Sequence, residues 1–151
     1  MDVKPLVSVL ISVYNEEDWI KKSIISILNQ TYDNIEVVVV NDGSTDETLS
    51  TLNQLRTKDD RIKIIDQENK GLTKSLNNGI TNCNGKYIAR MDADNIAKEI
   101  RIEEQVRFLE KNQSYSLVGS FRKEIKDGNE RLRTFPVSDE DIKKWLIRAC
   151  V

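Results

Sequence analysis

The chain has 151 residues, of which 38% are hydrophobic and 32% charged, and its net charge is −2. That balance describes one globular domain, excludes a disordered chain and supplies no basic field for nucleic acid. Histidine is absent, so His-based zinc sites and Ser-His-Asp or Cys-His catalysis are excluded, and any general base must be a carboxylate or something rarer.

The first predicted element is a strand over Leu6–Val13, rich in β-branched residues and almost continuously apolar, as a strand buried on both faces reads. It ends at Tyr14-Asn15-Glu16-Glu17, with Asn15 placed to cap a helix. That helix carries Ile20, Ile24, Ile27 and Leu28 on one face and stops near Asn29-Gln30. A second buried strand over Ile35–Val40 runs into Asn41-Asp42-Gly43-Ser44, where Ser44 and Glu47 match a capping box. The next helix has Leu49, Leu52 and Leu55 as its stripe. A third strand covers Ile62–Asp66, and Asn69-Lys70-Gly71 forms a turn. Leu72, Leu76, Ile80 and Cys83 then mark one helix face, ended by Asn84-Gly85.

The fourth strand, Tyr87–Met91, is expected to be buried and to deliver Asp92 and Asp94 at its carboxyl end. Alternate residues of an extended chain point the same way, so both carboxylates can face one cavity. Like charges held that close repel, and a hard divalent cation bound by oxygens removes the conflict. The alternative is a polar turn in which one acid caps the next helix. A helix follows over 97–112 with Ile102, Val106 and Leu109 inward. A strand is expected over Ser116–Phe121, then a hairpin of Phe121–Ile125 and Arg131–Phe135 turning at Gly128-Asn129. A last amphipathic helix spans Asp139–Cys150 and packs Ile142, Trp145 and Leu146.

The alternation of strand and helix implies a Rossmann-like α/β fold, an open and mostly parallel sheet with helices on both faces. Polar residues gather at three strand ends, Tyr14-Asn15-Glu16, Asp42-Gly43-Ser44 and Asp92-Ala93-Asp94, which a parallel sheet puts on one edge. Neither G-x-G-x-x-G after the first strand nor G-x-x-x-x-G-K-[ST] occurs. Cys83 and Cys150 stand far apart in no C-x-x-C pattern and read as free thiols. No apolar run reaches membrane-spanning length and Met1–Pro5 lacks a signal-peptide layout, so a cytoplasmic protein is expected.

The runs Val7–Glu16, Val39–Asp46, Asn69–Leu72 with Leu76–Ile80, and Gly85–Asp94 resemble the nucleotide-sugar-binding half of a family 2 glycosyltransferase with the GT-A fold. Arg101, Gln105, Phe108-Leu109 and Val118-Gly119-Ser120 extend the likeness over most of the chain. The resemblance implies one GT-A domain over residues 1–151, binding a nucleotide-diphosphate sugar, with a UDP-linked donor expected. Ser12 and Tyr14 would border the base and ribose, with Glu16 at the same mouth. Asp42 would accept a hydrogen bond from the base, since a carboxylate reads an N–H. Asp92 and Asp94 would form the family's Asp-x-Asp, with Ala93 between them on the donor side. Asp92 would lie towards ribose and metal, and Asp94 would ligate Mn²⁺ or Mg²⁺ directly.

Each of these residues also has a structural reading: Tyr14 as cover for the core edge, Asp42 as a turn cap, and Lys74, which could reach a phosphate, as a solvated helix lysine. The implied activity is metal-dependent, inverting transfer of the sugar to a saccharide or lipid-linked acceptor in cell-surface polysaccharide synthesis. Peripheral contact with the inner face of the membrane is compatible with that setting. The sequence departs from the family pattern at Asn95, where a third acid is usual, and at Glu99, where Pro is usual. The family places its catalytic base beyond the position of Val151, so the chain reads as truncated before the acceptor-binding part, and a donor-binding fragment without transfer is the alternative. A sugar-phosphate nucleotidyltransferase would need a Gly-rich loop where Tyr14-Asn15-Glu16 stands.

Overall fold

A computed structural model describes residues 4–142. Strands β1 (Val7–Val13), β2 (Ile35–Asp42), β3 (Ile62–Gln67) and β4 (Tyr87–Asp92) alternate with helices α1 (Ile20–Leu28), α2 (Thr48–Arg56) and α3 (Leu72–Ile80). Helix α4 (Arg101–Lys111) and the hairpin β5 (Arg122–Lys126) and β6 (Asn129–Arg133) follow. The four strands form one parallel sheet in the order β3-β2-β1-β4, and β5-β6 is a separate antiparallel pair. The expected parallel α/β architecture is therefore present.

The apolar runs of β1 and β2 end up inside because both sheet faces are covered. On one face Val7, Val9, Ile11 and Val13 meet Ile20, Ile24 and Ile27 of α1, Leu52 and Leu55 of α2, and Ile102 and Val106 of α4. On the other, Leu10, Val38 and Val40 pack under Leu76 of α3 and Cys83. Fully burying each such side chain stabilises the fold by roughly 1.5–3 kcal/mol.

Several expectations shift. β4 is an edge strand and not a buried one: Ile88 is 46% exposed, and only Met91 along β4 is buried. α3 seats only part of the face its apolar residues suggest: Leu76 and Cys83 pack on the sheet, but Leu72 and Ile80 are exposed while Ser75 and Gly79 are buried. Gly79 is the reason. A Cβ there would lie 2.3 Å from Leu10 Cδ1 and 3.0 Å from Val40 Cγ2, so the missing side chain lets the helix approach the sheet. α3 also ends at Ile80, before Cys83 and Asn84-Gly85.

Helix α4 starts at Arg101, four residues later than expected, because residues 97–99 are tied elsewhere. Ala97 N–H donates to Ser26 Oγ (3.0 Å), Lys98 C=O accepts from Gln30 Nε2 (2.8 Å), and Glu99 C=O accepts from Thr31 N–H (2.9 Å). Gln30 Oε1 then accepts from Ile102 N–H (3.0 Å), so one buried amide joins the end of α1 to the start of α4.

The 116–121 segment forms no strand; it has no pairing partner among the described residues, and Leu117 and Phe121 stay exposed. The hairpin turns at Asp127-Gly128, one residue earlier than expected. Both residues have positive φ (51° and 76°), which a two-residue primed turn requires and Asp-Gly supplies. The last helix begins at 139–142, and the remainder of the expected Asp139–Cys150 helix, with Trp145, Leu146 and Cys150, lies outside the described residues. Cys83 is a free thiol, as read from the sequence.

The amino-terminal edge of the sheet is held by a buried carboxylate. Glu36 accepts from Ser8 Oγ–H (2.5 Å), Lys63 Nζ (2.5 Å), Asn84 N–H (2.6 Å) and Asn84 Nδ2 (3.1 Å). Ser8 Oγ in turn accepts from Gly85 N–H (2.8 Å), which pins the turn between α3 and β4. Burial pushes the Glu36 pKa up, but these donors outweigh it and bring it down to about 2 from 4.5. A depressed acid stabilises the fold fully above its unfolded pKa and loses that contribution as pH falls toward the folded value. Glu36 therefore contributes up to ~3 kcal/mol that disappears between about pH 4.5 and about pH 2. Denaturant unfolding across that window is expected to show a smaller acid loss for Glu36→Gln than for the parent; parallel curves would refute the assignment.

Candidate functional site

In a parallel sheet all four strands end on one edge, and the chain reverses its direction of winding between β1 and β4. β2 and β3 lie on one side of β1, β4 on the other. The crevice at such a switch point is where open α/β sheets bind ligands. Register places the candidate residues within it. Ser12 pairs with Asp92 across β1 and β4, and with Val40 across β1 and β2, two residues before Asp42. Register neighbours in a pleated sheet point to the same side, so Ser12, Asp42 and Asp92 all belong to the face that α3 packs against. Tyr14 follows β1 directly and is 49% exposed.

The loops after β1 and β2 are knitted by reciprocal hydrogen bonds. Asn15 N–H donates to Ser44 Oγ (3.0 Å), and Asn15 Oδ1 accepts from Thr45 N–H (2.8 Å). Glu16 N–H donates to Thr48 Oγ1 (2.9 Å) and Glu17 N–H to Asp46 Oδ2 (3.2 Å), while Glu17 Oε2 accepts from Glu47 N–H (2.8 Å). Asn15 therefore caps no helix; it sits at φ 53° as the hinge between two loops. The Ser44–Glu47 capping box is not formed either. Ser44 is engaged by Asn15, and Asp46, ahead of the helix start at Thr48, accepts from Thr48 N–H (3.0 Å). The Asp-x-Thr spacing was the available signal for that turn.

Asp42 is 3% exposed. Its Oδ1 accepts from Gln67 Nε2 (2.7 Å) and Lys70 N–H (2.8 Å), and its Oδ2 from Gly71 N–H (2.8 Å). Burial raises its pKa, but the donors from Lys70, Gln67, the nearby Ser75 and Gly71 together hold it below the usual carboxylate range. Asp42 thus stays ionised and fastens the 69–71 turn, and with it the start of α3, to the end of β2.

The extended run of β4 stops at Asp92. Asn95 N–H donates to Asp92 C=O (3.2 Å), so Ala93 and Asp94 form a turn instead of continuing the strand's alternation. Arg90, two residues earlier on the same face, grips both oxygens of Asp92, and Asn95 Nδ2 adds a longer contact (3.3 Å). Arg101 Nη2 donates to Arg90 C=O (3.0 Å) and braces the same strand end. Ala93 is buried; Asp94 is exposed and makes no hydrogen bond or ion pair among the described residues. Burial, followed by the charges of Asp94, Asp46 and Asp18, pushes the Glu16 carboxyl above its ordinary range, so Glu16 and Asp94 share one negative mouth. Lys74 stands exposed in the first turn of α3 and makes no ion pair among the described residues.

Among the described residues no group of three or more His, Cys, Asp or Glu is placed to hold a metal ion. Asp92 has both oxygens engaged by Arg90, while the Asp94 carboxylate stands open at the mouth. Gln67, Arg90 and Thr48, which position these groups, were not singled out in the sequence. Arg90 alone carried a signal, its i, i+2 spacing from Asp92 on a strand.

Fold and crevice together define a parallel-sheet α/β domain with an acidic mouth at its switch point. The model of Glycosyl transferase family 2 matches residues 8–147, and the chain belongs to that family. An uncharacterised glycosyltransferase of Haemophilus influenzae is 52% identical over 122 residues, covering 80% of this chain and 38% of the relative. The putative glycosyltransferase EpsE of Bacillus subtilis is 43% identical over 122 residues, covering 80% and 44%. The chain thus spans less than half the length of these relatives.

Among solved structures, the mannosyltransferase PcManGT from Pyrobaculum calidifontis, in complex with GDP-Man and Mn²⁺, superposes with a TM-score of 0.67 at 27% identity, covering 72% of this chain and 33% of that one. TarS 1-349 of S. aureus in complex with UDP gives 0.66 at 27% identity, covering 71% and 32%. The fold is GT-A.

The loop zipper yields a direct check. Asn15→Ala removes the acceptor of Thr45 N–H and puts a Cβ residue with no local hydrogen bond at positive φ, so it is expected to destabilise by about 1–2 kcal/mol. Asn15→Gly keeps the backbone comfortable but loses the acceptor, so its cost is expected to be smaller while Thr45 amide exchange still accelerates. Undiminished protection of that amide in both variants would refute the zipper.

Proposed function

We propose that the protein is a metal-dependent, inverting glycosyltransferase that moves a sugar from a nucleotide-diphosphate donor, UDP-linked, to a saccharide or lipid-linked acceptor. The observation that carries this reading is the crevice at the β1/β4 switch point, where Ser12, Asp42 and Asp92 share a face beside the acidic mouth of Glu16 and Asp94. Family membership supports it, as do structural neighbours solved in complex with GDP-Man and Mn²⁺, with UDP and with UDP-GlcNAc.

In this reading Tyr14 and Ser12 line the nucleoside, with Glu16 near the ribose. Asp42 accepts from the base, and Lys74 lends positive charge toward the phosphates. Asp94 and Asp92 hold Mn²⁺ or Mg²⁺, Asp92 being pre-oriented by Arg90 and Ala93 filling the turn behind it. When bound, the cation supplies Lewis-acid stabilisation of the departing nucleoside diphosphate. The acceptor hydroxyl attacks the anomeric carbon from the opposite side, which inverts its configuration. No described residue is assigned as the base that deprotonates that hydroxyl. Work in cell-surface polysaccharide synthesis, at the cytoplasmic side of a membrane, is the setting proposed. None of the described helices is long and apolar enough to cross a membrane.

Because the chain covers only 38% and 44% of the two relatives, a binding-only role for this piece is the competing reading. Sugar transfer or slow donor hydrolysis measured on this chain separates the two. Binding itself is tested by Asp94→Ala. Calorimetric titration with UDP is expected to show at least about a tenfold loss of affinity in Mn²⁺ and little change without it. Equal affinities of parent and variant under both conditions would sink the metal assignment.

A further inference from the structure

We propose that Arg90 competes with the divalent cation for Asp92, so that the bare cation binds this mouth weakly and displaces the guanidinium only together with a diphosphate that adds its own oxygen ligands. This rests on the metal-dependent reading above, which uses Arg90 only to orient Asp92, and gives that arginine a second role.

Arg90 and Asp92 stand two residues apart on β4 and therefore on one face of the sheet. The guanidinium meets the carboxylate as a fork: Nη2 donates to Oδ1 and Nη1 to Oδ2 (3.3 Å). Asn95 Nδ2 adds a second donor to Oδ2 (3.3 Å). Neither oxygen of Asp92 is left without a donor, so a cation reaches Asp92 only by expelling Arg90. Asp94, two residues on, is exposed and makes no hydrogen bond or ion pair among the described residues. The mouth thus offers a cation one open carboxylate and one that is already matched. One open carboxylate is a poor holder of a strongly hydrated divalent ion, which gains most from carboxylates and phosphates together.

The fork is placed so that it can be released. Its two side chains are 48% and 42% exposed, and an ion pair so open to water is weak and screened by salt. A divalent cation carries twice the charge of a guanidinium, and a diphosphate completes its oxygen shell. The strand beneath does not have to move. Arg90 pairs with Leu10 and Asp92 with Ser12 across β1, and Arg101 Nη2 fastens Arg90 C=O (3.0 Å). The side chain has room to turn, because α3 lies over Leu10, Val38 and Val40 and leaves the β4 part of that face open, with Ile88 46% exposed. Arg90 is a positioning residue in this scheme, acting on the cation only through Asp92.

Electron paramagnetic resonance of the aqueous ion during a Mn²⁺ titration reads binding of the metal alone, without nucleotide or turnover. Arg90→Gln is expected to bind Mn²⁺ at least about fivefold tighter than the parent chain. The sign is diagnostic, because damage to β4 would weaken Mn²⁺ binding. The same substitution made in an Asp92→Asn chain is expected to bring little gain, since the contested carboxylate is gone; an equal gain there overturns competition for Asp92. So does an affinity no higher than the parent's in an Arg90→Gln chain shown to be folded by thermal unfolding. If Arg90→Gln does not fold, Arg90→Lys decides: it keeps the charge and loses the fork, so a gain of at least about twofold is expected, and no gain overturns the proposal. Calorimetry of the parent with UDP separates the two levels. Tighter UDP binding in Mn²⁺ leaves the metal-dependent reading standing when the competition fails, and no effect of Mn²⁺ overturns both.

Discussion

Strand β1 must be paired on both sides and covered on both faces, and most of the molecule follows from that one requirement. Val7, Val9, Ile11 and Val13 face α1, α2 and α4, while Leu10 faces α3. A strand so apolar has no stable place at an edge, where a row of backbone groups would face water. β2 takes one side and β4 the other, and the connections therefore wind in opposite senses from the centre. The crevice at the end of β1 is a product of this topology before any polar residue is placed in it. Ser12 and Asp92 meet there because they are register partners, whatever their chemistry.

Charge is then arranged asymmetrically about the sheet. At the amino-terminal edge Glu36 is buried against Lys63 and three neutral donors, so its charge is matched. At the carboxyl edge Arg90 matches Asp92, but Asp94, Glu16, Asp46 and Asp18 accumulate near one another. Burial first, and then repulsion from Asp94, Asp46 and Asp18, lifts the Glu16 pKa, as expected of a mouth short of positive charge. A cation and the phosphates it carries would relieve that shortage. The knitted loops of Asn15, Thr45, Glu16 and Thr48 keep the acids from spreading apart.

Periodicity made the sheet and its helices readable, because buried β-branched runs and i, i+3, i+4 stripes are direct imprints of a core on a chain. What misled was any place where a small or polar residue outbid a larger one. Gly79 let α3 lie on Ser75 and Gly79, leaving Leu72 and Ile80 in water, and no hydrophobicity pattern announces that. Gln30 delayed α4 by engaging backbone groups 68 and 72 residues away in sequence. The residues at the candidate site were legible as types at strand ends, while their partners were not. Gln67 reaches Asp42 only after the β2/β3 register sets them side by side, and no spacing in the linear chain encodes it. Tyr87–Met91 looked buried because its composition is that of a core strand, yet its position at the sheet edge leaves Ile88 exposed.

Asp42 and Glu36 are both buried, ionised acids on β2, six residues apart and on the same face, and the difference between them is informative. Glu36 has a lysine. Asp42 has only neutral donors: two backbone N–H groups, the Gln67 amide and the nearby Ser75. A carboxylate serving only to fasten the 69–71 turn would gain from a cation, or could be replaced by a neutral acceptor at little cost, since burying charge is expensive unless it is matched. Neutral donors hold the charge in place without cancelling it. The contact proposed for Asp42 with an uncharged base has that need: full acceptor strength, no proton of its own to offer, and no competing cation in the way.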